Sequence, residues 1–332
     1  MALGLAMLHL SQVHHETGCN ALIFGYFHKG KIVNRNLILI AALVLIAAVW
    51  ALTFPLTKIA VLGGYRNLGI IFWSSTISVV VLGVVVALRG LVVPLHPAAL
   101  LRYGFVALFG TVLPSAASYT AAEHLPAGVI SVCMSMIPLL ALPLAICLGL
   151  DRATPGRILG LVLGLSGVLM ITLPDASLPG AALAGYVLLA MLAVLCYALE
   201  SVGLGRLGRA GLDPIQLLLG ASIIAAIVTL PIALVAGTFI VPVLPVSKAE
   251  VAVVLSGLAN TAAYVGFVWI IGSGGAVFAS QVAYLVTGFG VLWSMILLGE
   301  SYSIWIWCAV TVILAGVFLT QPHPKSKTAP AA

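Results

Sequence analysis

The chain has 332 residues, 63% of them hydrophobic and only 7% charged, with a formal net charge of +6. Soluble domains carry about 25% charged residues, so a soluble fold of this length could not cover so much apolar surface, and lipid is the solvent that accepts it. The positive excess contains no basic run; nucleic acid is thereby excluded as a partner and the cations are left as markers of topology.

Residues 1–35 differ from the rest. MALGLAMLHL is apolar, but it is too short to span a bilayer and has no positive region before it, so it does not read as a signal peptide. His9, His14, His15 and Cys19 match no ordinary metal spacing. The expectation is a disordered cytoplasmic leader. The remaining cysteines, Cys133, Cys147, Cys196 and Cys308, fall within apolar runs and read as packing residues, with no disulfide framework and no metal site.

A bilayer core about 30 Å thick needs about 20 apolar residues of helix. Ten segments qualify: 37–59, 68–88, 100–122, 127–149, 156–174, 180–204, 214–236, 250–271, 275–298 and 303–320. The breaks between them carry turn chemistry, among them Gly63-Gly64, Pro94, Pro126, Asp151-Arg152, Pro174, Pro179, Asp213-Pro214 and Gly274-Gly275. Most connections are short, which makes consecutive helices antiparallel neighbours. With the N-terminus in the cytoplasm, ten crossings place eleven basic residues on the cytoplasmic side: Lys29, Lys31, Arg35, Arg89, Arg102, Arg152, Arg157, Arg206, Arg209, Lys325 and Lys327. Only Arg66 and Lys248 fall on the other side, which supports both orientation and parity.

A repeat recurs at an offset of 149 residues: Ala127 and Ser131 match Ala276 and Ser280, Leu148 matches Leu297, and Asp151 matches Glu300. Leu165-x-Gly167-Val168 likewise matches Leu314-x-Gly316-Val317. Five spans per half is an odd number, so the halves must enter the membrane with opposite orientation. The expected fold is an all-α integral membrane protein of ten transmembrane helices in two inverted five-helix repeats, 37–174 and 180–320, with 321–332 as a cytoplasmic tail. Inverted repeats place substrate between the halves near the midplane.

AVWALTFPLTKIAV (Ala48–Val61), with Trp50, Phe54 and Lys58, resembles the first helix of the EamA family in the drug/metabolite transporter superfamily. VFASQVAYLV, LLGESYS (Leu297–Ser303) and ILAGVFL (Ile313–Leu319) carry the Leu-Gly-Glu and Ala-Gly-Val signature of the same family. The first half departs from it, with Gly149-Leu150-Asp151-Arg152 where Gly-Glu-Arg is usual. The resemblance covers about 37–321. It implies ten helices in two five-helix units, located in the bacterial inner membrane, and the movement of small metabolites or drugs without one fixed substrate.

Charges inside spans are costly and point to function. Glu200, in YALES, has two readings: a coupling carboxylate that binds a proton or a substrate amine, or an interfacial carboxylate paired with Arg206 or water. Lys58 lies near the opposite face, too distant in depth for a salt bridge to Glu200. It either attracts anionic solutes at the outer mouth or snorkels without a partner. Asn260 and Tyr264, Gln281 and Tyr284, and Tyr197 and Glu200 each share a helical face. Together with Trp50 these make Trp50, Tyr197, Asn260, Tyr264, Gln281 and Tyr284 the candidate lining of a substrate cavity. Interhelical hydrogen bonding is the alternative for each. Ser115, Ser118, Ser131 and Ser135 more readily bond their own helices. Gly156, Gly160, Gly164 and Gly167 make a close-packing face, and Pro114, Pro138, Pro143 and Pro231 mark interruptions of helices.

The partners expected are a small-molecule substrate and the lipid bilayer, with a homodimer allowed. No cofactor, metal or catalytic group is expected. The function expected is a secondary transporter working by alternating access, in the export direction. A membrane-embedded enzyme would need a nucleophile–base pair, a metal set or clustered carboxylates within the spans. A structural membrane protein is the other alternative. No Gly-x-x-x-x-Gly-Lys-Ser/Thr loop occurs, so transport would be coupled to a gradient or run down one.

Overall fold

The computed structural model describes residues 35–172, 181–242 and 244–320. The leader, the connection holding Pro174 and Pro179, and the C-terminal tail lie outside the described residues. Within them every regular element is helical. In the first half these are α1 (Arg35–Ala51), α2 (Thr53–Leu62), α3 (Asn67–Leu88), α4 (Pro97–Ala107), a π-helical segment (Leu108–Val112), α5 (Leu113–His124), α6 (Ala127–Met134), α7 (Ile137–Cys147) and α8 (Pro155–Thr172). The second half has α9 (Ala181–Leu207), α10 (Pro214–Val235), α11 (Lys248–Gly274), α12 (Ala276–Ser280), α13 (Val282–Leu298) and α14 (Ile304–Thr320).

Several of these elements join end to end. α1 with α2, α4 with the π segment and α5, and α6 with α7 make continuous rods. Eight rods are long and apolar enough to cross a membrane, and Pro155–Ile171 and Ile304–Thr320 are shorter apolar helices. Large side chains such as Leu88, Val235 and Phe318 are exposed around the outside, as lipid-facing surfaces require.

Local chemistry explains where rods start and bend. Asp213 with Gln216 and Ser247 with Glu250 form capping boxes at α10 and α11, and His96 accepts from the Ala99 N–H at α4. Pro114 lacks the N–H that would bond Gly110 in an α-helix, and the preceding turn is π-helical. Pro138 follows the turn at Ser135 and Met136 that separates α6 from α7. Pro143 and Pro231 are different: each sits inside a helix that continues past it.

The packing is symmetric between halves. α9 lies on the π segment and α5 as α11 lies on α1 and α2; α10 lies on α4 as α11 lies on α3. α13 lies on α1 as α9 lies on α6 and α7, while the pairs α8–α14, α3–α10 and α6–α13 map onto themselves. α8 and α14 touch through backbone: a Cβ on Gly160 would stand 2.6 Å from the Gly316 carbonyl oxygen, and one on Gly316 2.5 Å from that of Gly160. Gly164 and Gly167 are similarly crowded by Leu139 and Ile313, but Gly156 meets nothing within 4 Å and does not belong to this packing face.

Contacts between non-adjacent rods define two ends. At one, Lys58, Arg66 and Asn67 meet residues 120–125 of α5 and the loop after it, and Glu300 meets Ala127. At the other, Arg102 meets Leu207 and Gly208, and Gln216 meets Val92. They are called here the Lys58 end and the Arg102 end.

Candidate functional site

A cavity of ≈ 120 Å³ lies between the halves. The first half contributes Trp50, Thr53, Phe54 and Thr57 from α1 and α2, Ser74 from α3, Ser115, Ser118 and Tyr119 from α5, and Ser131 and Ser135 from α6 and its end. The second half contributes Tyr197 from α9, Ser256 and Asn260 from α11, and Ala283, Val286 and Thr287 from α13. Most of these lie in the half of each rod nearer the Lys58 end, so the cavity is displaced toward it. No lining side chain carries a formal charge.

Trp50 and Asn260 join the halves directly: the indole N–H donates to Asn260 Oδ1 at 3.2 Å. The Trp50 ring also packs edge-on to Phe267, 5.6 Å between centroids, which fixes its plane. Ser115 lies within hydrogen-bonding reach of the phenols of Tyr119 and Tyr197, tying α5 to α9 beside the cavity. Ser131 and Ser135 donate to the Gly128 and Val132 carbonyls of their own helix at 2.7 and 2.6 Å, the local bonding expected of them. Ser74 also stands beside the Tyr119 phenol, with its Oγ buried.

Of the sequence candidates, Trp50, Tyr197 and Asn260 line this cavity, while Tyr264, Gln281 and Tyr284 stand outside its lining. Tyr264 shares the Asn260 face but lies one turn further along α11. That turn carries it past the cavity floor, where it is buried and its hydroxyl donates to the Pro214 carbonyl at 3.2 Å. α13 offers the cavity Ala283, Val286 and Thr287 instead, a face that excludes Tyr284, which packs against the core beside α6 and α9. Gln281 occupies the turn between α12 and α13. Sequence reasoning passed over Thr53, Ser74 and Tyr119. Tyr119 was within reach of the same pattern, four residues after Ser115 on one helical face.

Lys58 is not part of the cavity lining. Its Nζ donates to the carbonyls of Ala122 at 2.6 Å, Leu125 at 3.0 Å and Glu123 at 3.4 Å, capping the C-terminus of α5. It therefore has partners where snorkelling needed none. Glu300 and Glu123 are the acids in its electrostatic reach. Glu300 caps the next helix: its two oxygens accept from the Ala127 and Gly128 N–H groups at 2.8 and 3.2 Å, and the Tyr302 hydroxyl donates to it as well. Burial, and then the bond to Glu300, hold the Tyr302 phenol above the usual tyrosine value.

Glu200 is buried at 2% exposure, and its Oε1 has no hydrogen-bond partner among the described residues. Arg206, the partner of the interfacial reading, is exposed and makes no ion pair with it. The carboxyl group lies against Gly110 of the π segment, where a Cβ would stand 2.5–2.7 Å from its carbon and oxygens.

Comparison with known proteins completes the picture. A solved structure described as "Crystal structure of protein" matches with a TM-score of 0.57 at 20% identity, over 85% of this chain and 94% of its own, which speaks to the fold alone. No curated protein matches. The EamA-like transporter family matches twice, over residues 37–173 and 184–321, one match for each half of the symmetric packing. A chain of apolar helices with a cavity between two such repeats is a multi-pass membrane protein, and it belongs to the EamA-like transporter family.

Proposed function

We propose that this chain is a secondary transporter that exports small metabolites or drugs across the bacterial inner membrane by alternating access. In this reading ten helices cross the membrane as two inverted five-helix repeats, with both termini in the cytoplasm and the Lys58 end outside. The two shorter apolar helices count as crossings because 17 residues suffice for a thin or locally compressed core. The exchange symmetry of the packing and the excess of basic residues at the Arg102 end support the arrangement.

The observation that carries the proposal is the composition of the cavity. Both repeats line it, so a rocking motion of one against the other would change its exposure. Its walls offer hydroxyls, one amide and aromatic faces without a formal charge. Such a site suits a solute that is neutral or internally neutralised and carries both hydrogen-bonding groups and an apolar or aromatic surface. Apolar cavities of about 150 Å³ admit benzene, so the observed volume sets a small scale for the part of the solute held.

The test uses the full-length protein in liposomes and a mixture of labelled neutral amino acids, nucleosides and uncharged aromatic compounds. At least one should cross faster than through protein-free liposomes. Trp50→Ala and Asn260→Ala should each lower that flux tenfold or more while leaving the protein monodisperse. Export is read from the flux of inside-out against right-side-out vesicles. Equal flux with and without protein for the whole mixture would overturn the reading.

A further inference from the structure

Just below the cavity floor, toward the Arg102 end, the halves close on one another through tight contacts, among them Glu200 on Gly110 and, a turn further along α9, Gly203 against Phe105. Tyr197 lines the cavity, and Glu200 follows it by one turn of α9. There α9 rests on the π segment at Gly110, where only glycine leaves room for the carboxyl group. The two contacting helices belong to opposite repeats. Alternating access requires this contact to break whenever the Arg102 end opens.

No cationic side chain among the described residues pairs with this carboxyl group. Among the described residues, Tyr197 on its own helix and Tyr264 on α11 are the tyrosines in its electrostatic reach, and both are uncharged donors. Arg102 on α4 is committed to the Leu207 and Gly208 carbonyls, and Arg157 on α8 to Asp151. α6 and α7 present Cys133 and Cys147, α10 has no titratable side chain, and Glu123 and His124 of α5 lie at the Lys58 end. Arg209 and Asp213 act on Tyr264 rather than on Glu200. An unpaired carboxylate is not stably buried as an ion, whereas the neutral acid is. Once water enters between α9 and the π segment, the ionised form is solvated and the preference reverses.

The geometry points to Glu200 as a proton-binding site built into the closure of the Arg102 end, carrying a proton while α9 rests on Gly110 and releasing it toward that side when the two helices part. No bond other than the O–H of the carboxyl group is made or broken, and the proton passes to water. Linkage fixes the sign: the closed form holds the proton more tightly, so acid favours closure and alkali favours opening of this end. The inference rests on the alternating-access reading and adds where and in which state the coupling proton is held.

Hydrogen exchange read by mass spectrometry tests it on the full-length protein in detergent micelles, with protons as the only ligand. After correction for intrinsic exchange, protection of residues 104–112 and 196–206 should fall at least tenfold as pH rises across the neutral range. Glu200→Gln, neutral at every pH, should stay protected throughout and lose that dependence. Gly110→Ala, which crowds the carboxyl group, should be unprotected even in acid. Parent-like pH dependence in Glu200→Gln, or none in the parent, overturns the inference. Because no transported solute is involved, a failed flux assay leaves this result standing, and flux without pH-linked opening removes only the proton site.

Discussion

The two helix starts made equivalent by the repeat, Ala127 and Ala276, are built from different chemistry. At Ala127, α6 begins with two backbone N–H groups bound by Glu300, and the helix before it ends on carbonyls bound by Lys58. Charges from two distant rods thus neutralise both exposed helix ends at one turn. At Ala276, α12 starts after Gly275 with φ +84° and no side-chain cap, and it lasts five residues before turning at Gln281. The residue 149 positions before Glu300 is Asp151, which binds Arg157 at 2.5 Å and the N–H of Arg152 at 2.8 Å. The residue 149 positions after Lys58 is Leu207. The halves repeat in topology, but among the described residues the Lys58 end joins a cationic and an anionic cap into a clamp at one turn, whereas at the Arg102 end Arg102 alone caps α9 through the Leu207 and Gly208 carbonyls, so the two ends should resist disruption unequally.

Replacing Glu300 should have the largest effect. Glu300→Ala strands two helix N–H groups and the Tyr302 hydroxyl, and hydrogen bonds to charged groups contribute about 1.5–3 kcal/mol each. The expected loss is about 2–3 kcal/mol, read as a drop in the melting temperature of the purified protein. Asp151→Ala, at the equivalent position, should cost about 1 kcal/mol or less, because it breaks one local pair. Equal losses would break the comparison.

Lys58→Met keeps the aliphatic stem and removes the ammonium group, at about 1–2 kcal/mol for a lost helix cap. Combined with Glu300→Ala it should fall short of additivity by at least about 0.5 kcal/mol, since each charge lies in the other's field. Strict additivity would reduce the clamp to two independent caps.

The smallest effect sharpens the contrast further, because residue 153, the counterpart of Tyr302, is Ala. Tyr302→Phe should cost about 1 kcal/mol. The phenol is held above the ordinary tyrosine value of 10.0, so the folded state favours its neutral form. That stabilisation is full below the ordinary value and is lost as pH rises through the higher folded one. In an alkaline absorbance titration, the difference between parent and Tyr302→Phe should develop only above pH 10. A difference complete by that pH would show the Glu300 bond to be too weak to count.

How far the sequence could be read depended on what each residue answers to. That the chain is a series of apolar helical rods followed from runs of apolar residues, which respond to the bilayer and need no knowledge of neighbours. Asn260 and Tyr197 fell into place through helical periodicity, as did the small-residue face that holds Gly160, though not its partner Gly316. The same periodicity misdirected Tyr264, because a shared face says nothing about depth along a rod. It gave no hint that α13 would turn Ala283 and Thr287 rather than Tyr284 toward the cavity, since that choice depends on how α13 rotates against α1 and α6. Lys58 was legible as a charge near a helix end. Its three carbonyl partners were not, because residues 122–125 come from a rod two crossings later.

By itself the amino-acid sequence determined that the chain lives in lipid, that it is helical, and that it is made of two related halves. Composition, run length and a repeated pattern are properties of the chain as a string, and the solvent reads them one segment at a time. The tertiary structure alone decided which halves of which rods enclose the cavity, that Glu300 reaches back to cap Ala127, and that Glu200 rests on Gly110. The last two join residues 173 and 90 positions apart, and in the cavity Trp50 meets Asn260 across 210. Such contacts arise from the rotation and crossing of packed helices, which a local pattern does not encode.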